Sequence, residues 1–394
     1  MVTRVLENTL RQAAGHYPVV TVTGPRQSGK TTLCRATFPQ HSYASLEPLD
    51  TRAFALEDPR GFLAQFAAGV IIDEVQHAPG LLSYVQADVD RDAAAGRFVL
   101  TGSQNLGLIE AVAQSLAGRT AVLHLLPLSL DELQHFEHPP ANLYDTLWQG
   151  SYPRIHDRGI PADRWLADYV ATYVERDVRQ VLNIGDLTTF SAFVRLVAGR
   201  TAQELNLSSL GSDAGVSHNT ARAWLSVMEA GFLCFRAPAS HRNTREQMVR
   251  SAKVHMVDSG LACHLLGIHS PGQLVNHPQR GAIFESWVAA EITKARVHRG
   301  RQPALGHLRQ SRGVEVDLVL EHGQRLGLIE VKSGATVPPD FHATLTRASD
   351  LLTAAGEMRP IERWLIYGGS EAQTRAGAQV VPWRAIQTVA WADD

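Results

Sequence analysis

The stretch PVVTVTGPRQSGKTTLCR, residues 18–35, restricts this chain more than any other. Val19–Val22 is a short apolar run of strand-forming residues, and it leads straight into Gly24-Pro-Arg-Gln-Ser-Gly29-Lys30-Thr31. That spacing is GxxxxGK[ST], and the residues after it suit a helix. Glycines let backbone N–H groups curl around phosphate oxygens, and a helix N-terminus adds its positive dipole end. Gly24, Pro25, Arg26, Gln27, Ser28, Gly29, Lys30, Thr31 and Thr32 are therefore the expected nucleotide cradle. Lys30 is placed to reach the β- and γ-phosphates, and Thr31 to hold Mg²⁺. A chance glycine-rich turn is the plainer alternative, and the strand–loop–helix context argues against it.

A second run, GVIIDEVQ at 69–76, ends a short apolar strand in two acids. Ligands of open α/β sheets bind at the carboxyl ends of the strands. Asp73 is there to complete the Mg²⁺ shell, and Glu74 to polarise a water against the γ-phosphate. A third run, RFVLTGSQN from Arg97, puts polar residues at another strand tip. Ser103 is the first candidate there for sensing the γ-phosphate, with Gln104 and Asn105 behind it; plain turn chemistry is the alternative. One more strand and a helix follow in SLAGRTAVLHLLPLSLDEL, 115–133. Arg119 opens that strand and, with Arg26, is a candidate for stabilising transition-state charge; a surface ion pair explains either equally well.

Taken together, GPRQSGKTT, VIIDEVQ, LTGSQN and SLAGR…PLSLDEL resemble the bacterial and archaeal AAA-type ATPases that carry a C-terminal domain of unknown function. The resemblance spans nearly the whole chain. It implies an ATP-binding domain over 1–140, a parallel sheet of the additional-strand type with Glu74 as its catalytic glutamate. It also implies ATP rather than GTP, which fits the lack of an NKxD guanine-reading motif.

Around residue 140 the pattern changes. Apolar residues recur at helical spacing in RWLADYVATYVERDVRQVL and FSAFVRLVAGR, and HPPANLYD reads as a linker. Within 141–270, a helix, a turn at Gly215, a helix capped by Ser217 and a β pair form a winged-helix pattern. Its second helix would expose His218, Asn219 and Arg222, with Arg236 nearby, and residues 214–257 hold six Lys/Arg against two Asp/Glu. DNA contact through phosphates is one reading; packing or protein contact is the other, because the helix has a single arginine. Glu175, Arg176 and Asp177 read as a solvated helix face, and the resemblance adds Arg176 as a finger candidate acting on a neighbouring subunit's ATP.

The third region, 271–394, is mixed α/β. Strands at about 304–309, 314–320 and 326–331 precede a helix near 340–354 and a strand at 363–369. A helix bearing Glu285, then Asp317, then Glu330-x-Lys332 resembles the restriction-endonuclease-like PD-(D/E)xK fold, with Val316 where the name motif has proline. In that resemblance Glu285, Asp317 and Glu330 bind Mg²⁺ and Lys332 orients water or neutralises phosphate. Oxygen ligands suit Mg²⁺. An ion network that merely holds a half-buried sheet together is the alternative, so the sequence leaves cleavage open. The expected fold class is thus α/β: a P-loop ATPase parallel sheet, a helical and winged-helix middle, and a smaller restriction-endonuclease-like C-terminal domain.

Bulk properties exclude several classes. Net charge is −2 over 394 residues, so any nucleic-acid contact must be local. The three cysteines are scattered and lack metal-ligand spacing, which fits a reducing cytoplasm. No apolar run is long enough to span a membrane. Of the 17 histidines, none form HxxxH or HExxH. Expected ligands are ATP and Mg²⁺, with DNA and a second copy of the chain as open partners.

Overall fold

Residues Val19–Thr23 form a strand (β1) that is buried along its whole length. In the computed structural model of the protein, which describes residues 2–103, 112, 114–174, 187–240, 251–310 and 313–393, β1 lies near one side of a five-stranded parallel sheet. The others are β2 (Ser42–Ser45), β3 (Val70–Asp73), β4 (Phe98–Gly102) and β5 (Thr120–His124), in the order β2-β3-β4-β1-β5. The strand β4 therefore stands between the strand before the glycine loop and the strand ending in Asp73, as an additional-strand sheet requires. Its central strands are continuous apolar runs because both faces are covered. Val19, Ile72 and Leu100 face one core with Phe62, Leu82 and Val85. Val20, Ile71 and Val99 face the other, with Leu6, Leu10 and Leu33. Leu6, Leu10 and Ala14, four apart on the helix Leu6–His16, are its buried stripe.

Two compact units are formed. One comprises 1–128, 230–232 and 297–301; the other comprises 129–229, 233–296 and 302–394. In the second unit, helices Ala162–Tyr169, Leu187–Gly199, Leu207–Ala214 and His218–Ala230 enclose Phe190, Phe193, Leu210 and Trp224. Helix Leu207–Ala214 stops at Gly215, whose φ of 70° is left-handed and costs glycine little. The Ser217 hydroxyl then accepts the Thr220 N–H at 3.1 Å and caps the next helix. After it come β7 (Cys234–Ala237) and β8 (Lys253–Met256), which with β6 (Gln203–Glu204) make an antiparallel sheet ordered β6-β8-β7.

The same unit holds a six-stranded sheet: β9 (Leu305–Arg309), β10 (Glu315–Glu321), β11 (Leu326–Lys332), β12 (Ile361–Tyr367), β13 (Gln373–Arg375) and β14 (Ala378–Pro382). Its order is β13-β14-β12-β11-β10-β9, with β10 and β11 antiparallel and β11, β12 and β14 parallel. Leu318 and Ile329 face the helix Arg280–Val297, while Val319 and Leu328 face the helix Phe341–Ala354. The period of two puts neighbouring residues on opposite faces. The β9–β10 register shifts between Val316 and Val319, and Asp317 sits in that irregularity.

Candidate nucleotide site and a C-terminal carboxylate cluster

The glycine loop closes between β1 and the helix Lys30–Thr37. Gly24 has a φ of 149°, and a Cβ there would lie 2.2 Å from the Leu125 carbonyl oxygen, so no side chain fits. Gly29 enters the helix at a φ of 94°. Gln27, a non-glycine residue, also takes positive φ. The Lys30 ammonium is buried and donates to the carbonyls of Gly24 (3.0 Å) and Pro25 (2.8 Å), so it lies folded over the loop. Burial pulls it down to about 8, although Glu74 and Asp73 oppose that. The Ser28 hydroxyl is fully buried with no hydrogen-bond partner among the described residues.

Asp73 accepts from three hydroxyls. Thr31 donates at 2.9 Å and Tyr43 at 2.7 Å to one oxygen, and Thr101 donates to the other. Glu74, the next residue, has a φ of 55°, a left-handed conformation that is strained for glutamate. Its carboxylate accepts from the Ser103 hydroxyl at 2.9 Å and from the Gln76 amide. Thr31, Asp73, Glu74 and Ser103 therefore meet at the carboxyl ends of β1, β3 and β4. The residues fit a nucleotide with Mg²⁺: the loop excludes side chains, a buried hydroxyl is left over, and Thr31 and Asp73 offer hard oxygen donors side by side.

Other expected residues fall differently. Thr32 is exposed on the helix. Arg119 is a correction. The parallel register sets Val19 beside Thr120, so Arg119 stands at the end of the sheet opposite the loop. There it forms a fork–fork pair with Asp90, at 2.5 and 3.0 Å. Gln104, Asn105 and the Glu175–Asp177 cluster with Arg176 lie outside the described residues, as does most of the basic stretch after Ser240. His218, Asn219 and Arg222 are all exposed on one helix, whereas Arg236 is held by Glu229 at 2.6 and 2.9 Å.

Sequence reasoning missed Tyr43, Thr101 and Arg4. Arg4, almost fully buried, donates to the Ser28 carbonyl at 2.7 Å and the Leu126 carbonyl at 2.8 Å, and so ties the loop to the segment after β5. Thr101 was within reach, since it stands in LTGSQN. Tyr43 and Arg4 carry no local signal.

In the second unit, Glu285, Asp317, Glu330 and Lys332 are brought together, but with a fifth member that no motif marks. The Lys253 ammonium, from β8, lies 2.9 Å from Glu285, 3.5 Å from Glu315 and 4.0 Å from Asp317, and its side chain is 3% exposed. Asp317 also accepts the Val331 N–H at 2.8 Å, and Lys332 pairs with Glu330 at 2.5 Å. Burial, then the neighbouring Asp317, raises Glu285 to about 8 and Glu330 to about 7; burial likewise raises Asp317. Burial alone would lower Lys253, but Glu285 and Asp317 more than offset it and raise it. Among the described residues no group of three or more His, Cys, Asp or Glu is arranged to hold a metal ion. The carboxylates as they stand are committed to lysines and a backbone N–H, and they do not fit Mg²⁺.

Residues 16–134 match the AAA domain family. Residues 140–272 and 280–386 match two domains of unknown function, DUF8612 and DUF4143. The AAA domain match takes in the glycine loop, the acidic strand tip and all five strands of the parallel sheet. An uncharacterized protein of Mycobacterium tuberculosis is 29% identical over 334 residues, which cover 83% of this chain and 73% of that protein. Another, of Haemophilus influenzae, is 22% identical over 291 residues, covering 70% and 67%. Among solved structures, a Walker-type ATPase of Pyrococcus abyssi is 13% identical, covers 66% of this chain and 94% of its own, and has a TM-score of 0.43. AMPPCP-bound DnaA from Aquifex aeolicus is 15% identical, with coverages of 57% and 86% and a TM-score of 0.30. No helix among the described residues is long and apolar enough to cross a membrane.

Proposed function

We propose that the protein is an ATP hydrolase in which nucleotide state controls the contacts of its middle and C-terminal regions. The observation that carries this reading is the juxtaposition under the loop: Thr31 and Asp73 are 2.9 Å apart, and Glu74 follows Asp73 with Ser103 at 2.9 Å. Lys30 leaves the Gly24 and Pro25 carbonyls to meet the β- and γ-phosphates. Thr31 and Asp73 would hold Mg²⁺, which would supply charge neutralisation at the phosphates. Glu74 accepts a proton from the attacking water, with Ser103 and Gln76 fixing its carboxylate. Arg4 holds the loop from behind as a positioning residue.

The test is ATP turnover with nucleotide binding measured beside it. Glu74→Gln retains binding and stops turnover; hydrolysis at the wild-type rate in that variant would remove Glu74 as the base. Because Arg119 faces Asp90 within its own chain, Arg26 or an arginine of a second copy is left to stabilise the charge, and only the latter requires self-association.

For the middle region we infer a winged helix that touches DNA through His218, Asn219 and Arg222, which are exposed on the helix after the Gly215 turn. DNA-stimulated turnover that falls steeply with salt supports it; turnover indifferent to DNA rejects it. The three domains proposed are 1–140, 141–270 and 271–394, and the location proposed is the cytoplasm. A second reading, an ATP-controlled protein-interaction switch, is favoured over an ATP-gated nuclease by the lysine-paired state of Glu285, Asp317 and Glu330. Plasmid cleavage that requires Mg²⁺ and vanishes in Lys332→Ala would reverse that preference.

A further inference from the structure

Two short pieces of the later chain belong to the unit built on the parallel sheet: 230–232, at the end of the helix His218–Ala230, and 297–301, at the end of the helix Arg280–Val297. Both bear on the exit of β5. Leu125, in the middle of that exit, donates its N–H to the Thr23 carbonyl at 2.8 Å. Its own carbonyl is what leaves no room for a side chain at Gly24. The phosphate loop is thus built against the exit of β5. From one side, His298 is fully buried and its Nε2 accepts the Leu126 N–H at 3.1 Å. The Leu126 carbonyl accepts from Arg4 at 2.8 Å, and the other arm of that guanidinium holds the Ser28 carbonyl at 2.7 Å. Thr9 donates to the His298 carbonyl at 2.9 Å and ties the backbone there to the helix Leu6–His16. A line of contacts therefore runs from His298 through Leu126 and Arg4 to Ser28, inside the loop. From the other side, the Phe232 ring lies 5.6 Å from the His124 ring, centre to centre. His124 Nδ1 shares a 2.7 Å hydrogen bond with the Thr23 hydroxyl, one residue before Gly24. Phe232 keeps a left-handed φ of 57°. Glycine would take that backbone without strain, but it would have no ring to set against His124.

We propose that His298 and Phe232 are positioning residues of the nucleotide site, and that through them the state of the phosphate loop reaches the helices Arg280–Val297 and His218–Ala230. Coupling of this kind needs an element with two arrangements that both ends feel. The loop is that element. Without nucleotide, Lys30 donates to the Gly24 and Pro25 carbonyls, and it gives those bonds up when it turns to phosphates. Gly24 is packed against the Leu125 carbonyl, so a shift of the loop is felt at the exit of β5, where His124 and Leu126 flank Leu125. Each of the two contacting segments is covalently continuous with the last turn of a helix, one bearing His218, Asn219 and Arg222 and the other Glu285. This inference deepens the reading of the protein as an ATP hydrolase and rests on it.

Hydrogen–deuterium exchange of the full chain, with and without a non-hydrolysable ATP analogue and Mg²⁺, tests this in peptides covering 20–34, 218–232 and 280–301. In wild type, nucleotide is expected to change exchange in all three. His298→Leu removes the acceptor for the Leu126 N–H; it is expected to keep the response at 20–34 and to lose it at 280–301. His298→Gln, whose amide oxygen reaches the place of Nε2, is expected to restore that response, which a purely structural role would not distinguish. Phe232→Leu is expected to lose the response at 218–232 and keep the one at 280–301. Thr9→Val leaves the imidazole in place and is expected to weaken the 280–301 response, so the test stands even if His298→Leu fails to fold. Wild type that responds at 20–34 but not at both helix ends overturns the proposal alone. So does a full 280–301 response in His298→Leu, or an undiminished one in Thr9→Val. Wild type with no response at 20–34 removes the nucleotide reading, and this inference with it.

Discussion

Two carboxylate sites in this chain take opposite states. At the nucleotide site, Asp73 and Glu74 accept from neutral hydroxyls and an amide: Thr31, Tyr43, Thr101, Ser103 and Gln76. At the C-terminal cluster, Glu285 and Glu330 are paired with the ammoniums of Lys253 and Lys332. The difference is one of what a cation must displace. A donating hydroxyl can rotate its proton away and leave the carboxylate oxygen open to a cation, so Mg²⁺ would enter at little cost. The buried Lys253 ammonium must be taken from its carboxylates before a metal can enter, at the cost of leaving buried charges unpaired. Similar acidic residues thus make a receptive site in one region and a closed one in the other.

The largest effect that would break this comparison is at Lys30. Lys30→Ala is expected to abolish nucleotide binding, measured by fluorescent-ATP titration. Retained affinity would mean the loop does not use its lysine. Next, Glu74→Gln lowers the steady-state hydrolysis rate by about 10²–10⁴-fold, the usual worth of a general base, with nucleotide affinity unchanged. Ser103→Ala removes one hydrogen bond to that base and is expected to slow turnover by less than about tenfold.

The C-terminal cluster is probed by pH. Glu285 is raised from 4.5 to about 8, so between those values the folded protein holds a proton that the unfolded chain releases. Stability from this group is therefore full below about 4.5 and declines as pH rises toward 8. Glu285→Gln should flatten that decline in denaturant-melting experiments at stepped pH; an unchanged slope would remove Glu285 as its source. The smallest effect is expected at Arg119: in single-turnover measurements on monomeric protein, Arg119→Ala leaves hydrolysis unchanged, since its partner is Asp90. Slowed hydrolysis there would place it at the site after all.

The nucleotide site was legible because its parts are local. GPRQSGKT needs only its own backbone and the next helix to make a phosphate cradle, and an apolar run ending in Asp73-Glu74 puts acids at a strand tip by strand geometry alone. The apolar periods also placed β1, β3, β4 and β9 to β12 to within a few residues, since burial is written in their pattern, while the mostly exposed β2 and β13 gave no such signal. Of the two readings offered for Arg119, the surface ion pair holds: it opens β5, and in a parallel sheet the start of a strand lies at the end away from the ligand, as the register of β5 on β1 shows.

What the sequence determined by itself, then, is the phosphate loop, the acidic strand tip and the Glu330-x-Lys332 pair, each set by residues within a few positions of one another. What only the tertiary structure decided is who faces them: Tyr43 and Thr101 on Asp73, Arg4 behind the loop, and Lys253 among Glu285, Glu315 and Asp317. Those partners come from distant strands and helices. Charge and hydrogen bonding act through space, and no spacing along the chain records which side chains packing will bring within 4 Å.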